Sequence, residues 1–141
     1  MSSTAPIHYD SFTEARKSLK RILDSAEDGA VVSIERGDRV TVVTDRDRLR
    51  DLLVHAVPST ARVIAEADAW VILIPDSPFA AEGQTLDDAL DDLIENLRDY
   101  ASEWPKHFVS APNHAGSWAL VQLVNLSTDE ALREWLTSGS E

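Results

Sequence analysis

Residues 11–44 read SFTEARKSLKRILDSAEDGAVVSIERGDRVTVVT, and this stretch decides the fold. Phe12, Ala15, Leu19, Ile22, Leu23 and Ala26 recur at three- and four-residue steps, the spacing of one face of an amphipathic helix. The spacing predicts a helix over 11–27, interrupted near Arg16–Ser18, with Phe12, Ala15, Leu19 and Leu23 turned to the core. Asp10-Ser11 offers a cap at its start, and Asp28-Gly29 stops it, glycine being free to take the left-handed closing conformation. Two β-rich runs follow, Ala30–Ile34 and Val40–Thr44, with Glu35-Arg36-Gly37-Asp38-Arg39 between them as a turn centred on Gly37. Together they read as a hairpin.

Working outward, Ile7–Tyr9 is a short extended segment before the helix. After the hairpin Asp45 caps a second helix, Arg46–His55, with Leu49, Leu52 and Leu53 inward. Pro58-Ser59 ends it and marks the expected boundary between domains 1–57 and 58–141. The second half opens with a hairpin, Arg62–Glu66 and Ala69–Ile74, then a short strand Phe79–Glu82 closed by Gly83. Thr85 caps a helix to about Trp104, with Asp88 at N3 and an apolar face from Leu86 through Leu90, Leu93 and Leu97 to Ala101 and Trp104. An irregular connection, Pro105–Gly116, leads to a β-rich run, Ser117–Leu126, and Ser127 or Thr128 caps a final helix through Leu136. The expected class is α+β, βααββα followed by ββ(β)αβα.

Composition is that of an ordinary soluble globular chain: 43% apolar and 27% charged. With no cysteine, disulfides, thiol catalysis and thiolate zinc sites are excluded. The start of the chain lacks signal-peptide features, and the longest apolar run, Ala69–Pro75, is too short to span a bilayer. A cytoplasmic protein without membrane contact is the expectation. The net charge is −12, but it is unevenly spread. Residues 1–63 hold ten basic and ten acidic side chains, whereas 64–141 hold three basic (Arg98, Lys106, Arg133) and fifteen acidic ones. Such asymmetry points to two electrostatic tasks, because the neutral half can present a basic face while the acidic half attracts a basic protein.

Residues that could carry chemistry are few. The row Asp87, Asp88, Asp91, Asp92, Glu95, Asp99 lies opposite an apolar stripe, so it reads as a solvated helix face rather than a metal site. His107 and His114 share one loop but lack a third ligand. No nucleophile elbow, phosphate-cradling loop or dinucleotide fingerprint occurs, so neither catalysis nor a cofactor is expected. The tryptophans, Trp70, Trp104, Trp118 and Trp135, all fall in the second half and most simply furnish its core, although one could anchor an interface. Arg16, Lys17, Lys20 and Arg21 on the first helix, with Arg36 and Arg39 beside the turn, could converge on phosphates. Equally, they could be surface ion-pair partners of Glu14, Asp24 and Glu35.

Residues 6–55 resemble the Phd/YefM (prevent-host-death) antitoxin family. The resemblance is carried by Thr13-Glu14-Ala15-Arg16, Leu19 with Ile22-Leu23, Glu27-Asp28-Gly29 before Val31-Val32-Ser33-Ile34, and Glu35-Arg36-Gly37-Asp38-Arg39-Val40 with Thr41-Val42-Val43. It implies a dimer whose N-terminal modules bind operator DNA, with Arg16 and Arg36 the foremost contacts among Arg16, Lys17, Lys20, Arg36 and Arg39. Where the family often has a basic residue and proline, this chain has Asp38 and Arg39. Residues 61–104 look like the HicB-type antitoxin module, through Val71-Ile72-Leu73-Ile74-Pro75-Asp76, Phe79-Ala80-Ala81-Glu82-Gly83 and Thr85-Leu86-Asp87-Asp88-Ala89. Phe79-Ala80 stand where that module usually has Gly-Cys. The module implies a degenerate RNase H-like fold that meets a toxin, commonly a small basic ribonuclease, and Asp87, Asp91 and Glu95 are the expected toxin contacts. The functional expectation is a type II antitoxin that neutralises its toxin and represses its own operon, as a homodimer or higher oligomer. The rival expectation is an acidic interaction or immunity-type module that never touches DNA.

Overall fold

The computed structural model describes residues 7–139. Contacts divide the chain into two units, Met1–Leu49 and Arg50–Glu141. The first contains β1 (His8–Tyr9), α1 (Phe12–Lys17), α2 (Leu19–Glu27), β2 (Val32–Arg36) and β3 (Arg39–Val43). The helix α3 (Arg46–Ala56) begins in this unit and ends in the next.

Ser11 starts α1 by accepting the Glu14 backbone N–H on its hydroxyl at 3.0 Å. Ser18 then interrupts the helix: its N–H bonds back to Glu14 and Ala15, and α2 restarts without a side-chain cap. Ala15, Ile22 and Ala26 are buried, whereas Phe12, Leu19 and Leu23 are about half exposed, which corrects the expectation that all three face the core. Strand β1 runs parallel to β2, which requires a crossover, and the broken helix supplies it. Strand β3 returns antiparallel, with Arg36 directly opposite Arg39. Gly37 (φ 63°) is the first central residue of this two-residue turn, and only there is φ positive, the pattern of a type II′ turn. Tyr9, Ala15, Ile22 and Val32 form the core, with Ala30, Ile34 and Val43 packed against it. Arg48, in the first turn of α3, donates to the Glu27 carbonyl at 3.2 Å and so neutralises the end of α2.

The second unit holds an antiparallel sheet of β4 (Arg62–Ala65), β5 (Trp70–Leu73) and β6 (Ala80–Gly83) in that order. It continues with α4 (Leu86–His107), α5 (Trp118–Leu126) and α6 (Asp129–Ser138). The Thr85 hydroxyl accepts the Asp88 N–H at 3.1 Å and starts α4. Ala89, Leu90, Leu93, Ile94, Leu97, Ala101 and Trp104 are buried along one side of α4, which packs on β5 and β6 and on α5 and α6. The segment Ser117–Leu126, expected as a strand, is instead the helix α5. Its sequence is apolar almost throughout, so alternation cannot distinguish strand from buried helix. Packing decides: Val121 and Val124, three apart, are buried with Leu123 in contact with α4. The unit therefore runs βββααα, and the RNase H-like ββ(β)αβα order is not formed. Trp104 and Trp135 belong to the core, while Trp70 and Trp118 are partly exposed, so the expectation of four core tryptophans holds for two.

Arg98 joins α5 to α6. Its guanidinium donates to the Val124 carbonyl at 2.6 Å and the Ser127 carbonyl at 2.8 Å, and pairs with Asp129 at 2.7 Å. The later part of α3 also belongs to this unit. Arg50 donates to the Ser127 hydroxyl at 2.7 Å, and the Trp135 indole donates to the Val57 carbonyl at 2.9 Å. Hence the division falls between Leu49 and Arg50, eight residues before the boundary expected at Pro58. Leu53 is buried here, whereas Leu52, expected inward, is exposed.

Gly83 sits so close to the start of α4 that a Cβ on it would lie 2.6 Å from the Ala89 nitrogen. Gly83→Ala is expected to cost about 1–3 kcal/mol by overpacking. Thermal unfolding followed by tryptophan fluorescence checks this, since every tryptophan lies in the second unit.

Candidate functional site

The basic residues of the first unit fall into two groups. Arg16, one turn after Phe12 on α1, lines an open cavity of about 170 Å³ with Phe12, Leu19 and Ile34. The Arg36 guanidinium lies over the Phe12 ring, 5.1 Å from its centroid. Phe12 thereby brings Arg16 and Arg36 to one surface. Arg39 lies opposite Arg36 and on the same face of the hairpin. Two like charges in direct cross-strand register repel, and an anion bound between them relieves that cost.

The second group surrounds the helix break. Lys17, Ser18, Lys20, Arg21 and Asp24 line an open depression of about 390 Å³. Lys20 Nζ lies 2.8 Å from Asp24 Oδ2, and this hydrogen bond, reinforced by the charges of Asp24 and Glu27, raises the lysine above its ordinary pKa. Lys20 is thus partly neutralised where it stands. Arg16, Lys17, Arg36 and Arg39 have no ion-pair partner among the described residues. The structure therefore answers the question of surface pairing differently for different residues. Pairing with Asp24 holds for Lys20, while Glu35 engages His8 at 2.9 Å and leaves the arginines alone.

In the second unit the acidic side of α4 is two stripes, not one. Asp87 and Asp91 turn toward α6, where Arg133 reaches both: Nη1 lies 3.3 Å from Asp87, and Nη2 contacts Asp91. These two expected partner contacts are thus engaged within the fold. Glu95 falls on the other stripe with Asp88, Asp92 and Asp99, spaced four, three and four residues apart. Among the described residues none of these four has an ion-pair partner. Sequence spacing alone could have separated the stripes; it could not have revealed that Arg133 arrives beside one of them. His107 pairs with Glu103 at 3.1 Å, and His114 accepts or donates a 2.8 Å hydrogen bond with the Tyr100 hydroxyl. Among the described residues no group of three or more His, Asp or Glu side chains gathers to hold a metal ion. None of the described helices is long and apolar enough to cross a membrane.

Residues 7–136 match the family model described as "PHD_like: Antitoxin of toxin-antitoxin, RelE / RelB, TA system". The chain belongs to this antitoxin family. The fold is also similar to a crystal structure from Syntrophomonas wolfei subsp. wolfei, described as an antitoxin part of a proposed toxin/antitoxin system. The TM-score is 0.73 at 20% identity over 90% of this chain and 94% of that one, a likeness of fold. No curated protein matches the sequence. Membership in the family implies a toxin partner for this antitoxin.

If Asp91 is engaged and Asp92 is not, neutralising them should act in opposite directions. Asp91→Asn is expected to lower stability by about 0.2–1 kcal/mol through loss of the Arg133 pair. Asp92→Asn should leave stability unchanged or raise it by relieving repulsion, and paired thermal melts distinguish the two.

Proposed function

We propose that this antitoxin divides its work between its units: the first binds operator DNA as a Phd/YefM-type homodimer, and the second binds the toxin. The observation that carries the reading is the convergence of Arg16 and Arg36 on Phe12, with Arg39 alongside, in the half of the chain that escapes the acidic excess. Phosphates supply the anion that such a surface lacks, and arginine can also read guanine edges. Lys17 and Lys20 at the helix break extend the same basic character, with Lys20 the weaker contributor because Asp24 holds it. The exposed Leu23, which does not line the arginine cavity, provides apolar area for a second copy, as a dimeric repressor needs. The HicB-like part of the reading is limited to the sheet and α4, since the strand that would complete that module is helical.

Toxin binding is assigned to the α4 stripe Asp88, Asp92, Glu95 and Asp99, which steers a basic protein by long-range attraction. Asp87 and Asp91 support α6 instead. The chemistry throughout is binding, without catalysis, cofactor or metal.

Fluorescence anisotropy on DNA from upstream of the gene, at low and moderate salt, tests the first half of the assignment. Arg16→Ala with Arg36→Ala is expected to weaken operator binding and reduce the salt slope by about 2 per protomer, about 4 for the dimer, while toxin affinity is unchanged. Equal loss of both activities defeats the division of labour, and absence of DNA binding favours the acidic interaction module. For the second half, Asp92→Lys with Glu95→Lys is expected to slow toxin association about tenfold or more at low salt, measured by stopped-flow mixing.

A further inference from the structure

The turn after β5 and the loop after α4 enclose a cavity of about 170 Å³. Its aromatic walls are Phe79, Tyr100 and His114: Phe79 meets Tyr100 edge-on at 5.1 Å, and the His114 ring centre is 5.7 Å from that of Tyr100. Asp76 and Asn113 supply oxygen acceptors among the lining residues. The cavity is built rather than incidental. The Trp104 indole donates to the His114 carbonyl at 2.9 Å, the Tyr100 hydroxyl meets His114 Nδ1 at 2.8 Å, and Phe108 stacks behind Tyr100 at 5.6 Å. On the opposite wall the Ser77 hydroxyl donates to the Ile74 carbonyl at 2.6 Å and accepts the Phe79 N–H at 3.2 Å.

Asp76 has φ 61°, the one positive φ at a non-glycine residue in the described chain. It follows Pro75 as the second central residue of a turn, where glycine or asparagine is favoured. An aspartate there keeps the turn and adds a carboxylate, which has no partner among the described residues. Aromatic faces, an unpaired carboxylate and an amide oxygen together suit a flat, multi-donor cation. Anions are disfavoured: residues 64–141 carry fifteen acids against three basic side chains, and Arg98 and Arg133 are occupied within the fold. A cavity of this volume admits one side chain and not a nucleotide or cofactor.

We propose that this cavity receives an arginine side chain of the toxin, its guanidinium between the aromatic walls and the Asp76 carboxylate. The source of the arginine rests on the reading of the second unit as the toxin-facing one; the guanidinium specificity does not. The test uses N-acetyl-arginine methylamide as the probe, titrated into the full-length protein with the aromatic resonances followed by NMR. The expected result is a saturable shift of the Tyr100 and His114 ring signals, weaker by fivefold or more for the lysine analogue. Asp76→Asn, which keeps a residue tolerant of positive φ, should abolish most of the response. Phe79→Leu, which keeps apolar bulk, should weaken it. No shift with the arginine amide at about 10 mM, the millimolar range of single-side-chain contacts, overturns the proposal. So does an equal response to lysine, or a response that both variants retain. Asp76→Asn should also weaken the toxin complex; loss of amide binding with toxin affinity intact overturns the toxin as the source. Failure of the toxin-facing assignment itself reads differently: the amide still binds, but charge reversal at Asp92 and Glu95 leaves toxin association unaltered.

Discussion

The burial of one side of α4 governs the second unit. Seven of its side chains, from Ala89 to Trp104, are removed from water against the sheet and the two helices that follow. Each large aliphatic among them contributes on the order of 1.5–3 kcal/mol of transfer free energy, so the orientation of this helix is not adjustable. Once that side is committed, the directions of its charges are committed as well. Asp87 and Asp91 flank α6 and meet Arg133, while Asp88, Asp92, Glu95 and Asp99 project to solvent. The core thus fixes which carboxylates meet Arg133 and which stand alone.

The first unit solves a smaller problem with less apolar material. Its core is four buried side chains, and three half-exposed apolar residues remain on the broken helix. Ala15, Ile22 and Ala26 keep one helical line across Ser18, and Phe12, Leu19 and Leu23 flank that line. The break also opens the basic depression bounded by Lys17, Lys20 and Arg21. Exposed apolar area and positive charge therefore share the same pair of helices.

Much of this architecture was legible in the residues. The hairpin around Gly37, the start of α4 at Thr85 and the interruption near Ser18 each follow from a local signal: a turn residue, a cap, or a lapse in periodicity. What escaped was set by tertiary contact. The run Trp118–Leu126 carries enough valine and leucine for either a strand or a helix, and only packing on α4 selects the helix. The pairing of Arg133 with Asp87 and Asp91 spans more than forty residues and leaves no trace in local spacing. The cavity around Tyr100 depends likewise on the Trp104–His114 hydrogen bond, which no periodicity announces. The arginines of the first unit could be listed from sequence, but not the placing of Arg36 over the Phe12 ring.

The unopposed carboxylates of α4 also tie the second unit to the ionic strength around it. Added salt screens the mutual repulsion along that stripe, so the second unit becomes more stable as salt rises. That unit is therefore mildly halophilic, a trait that follows from where fifteen acidic side chains were placed.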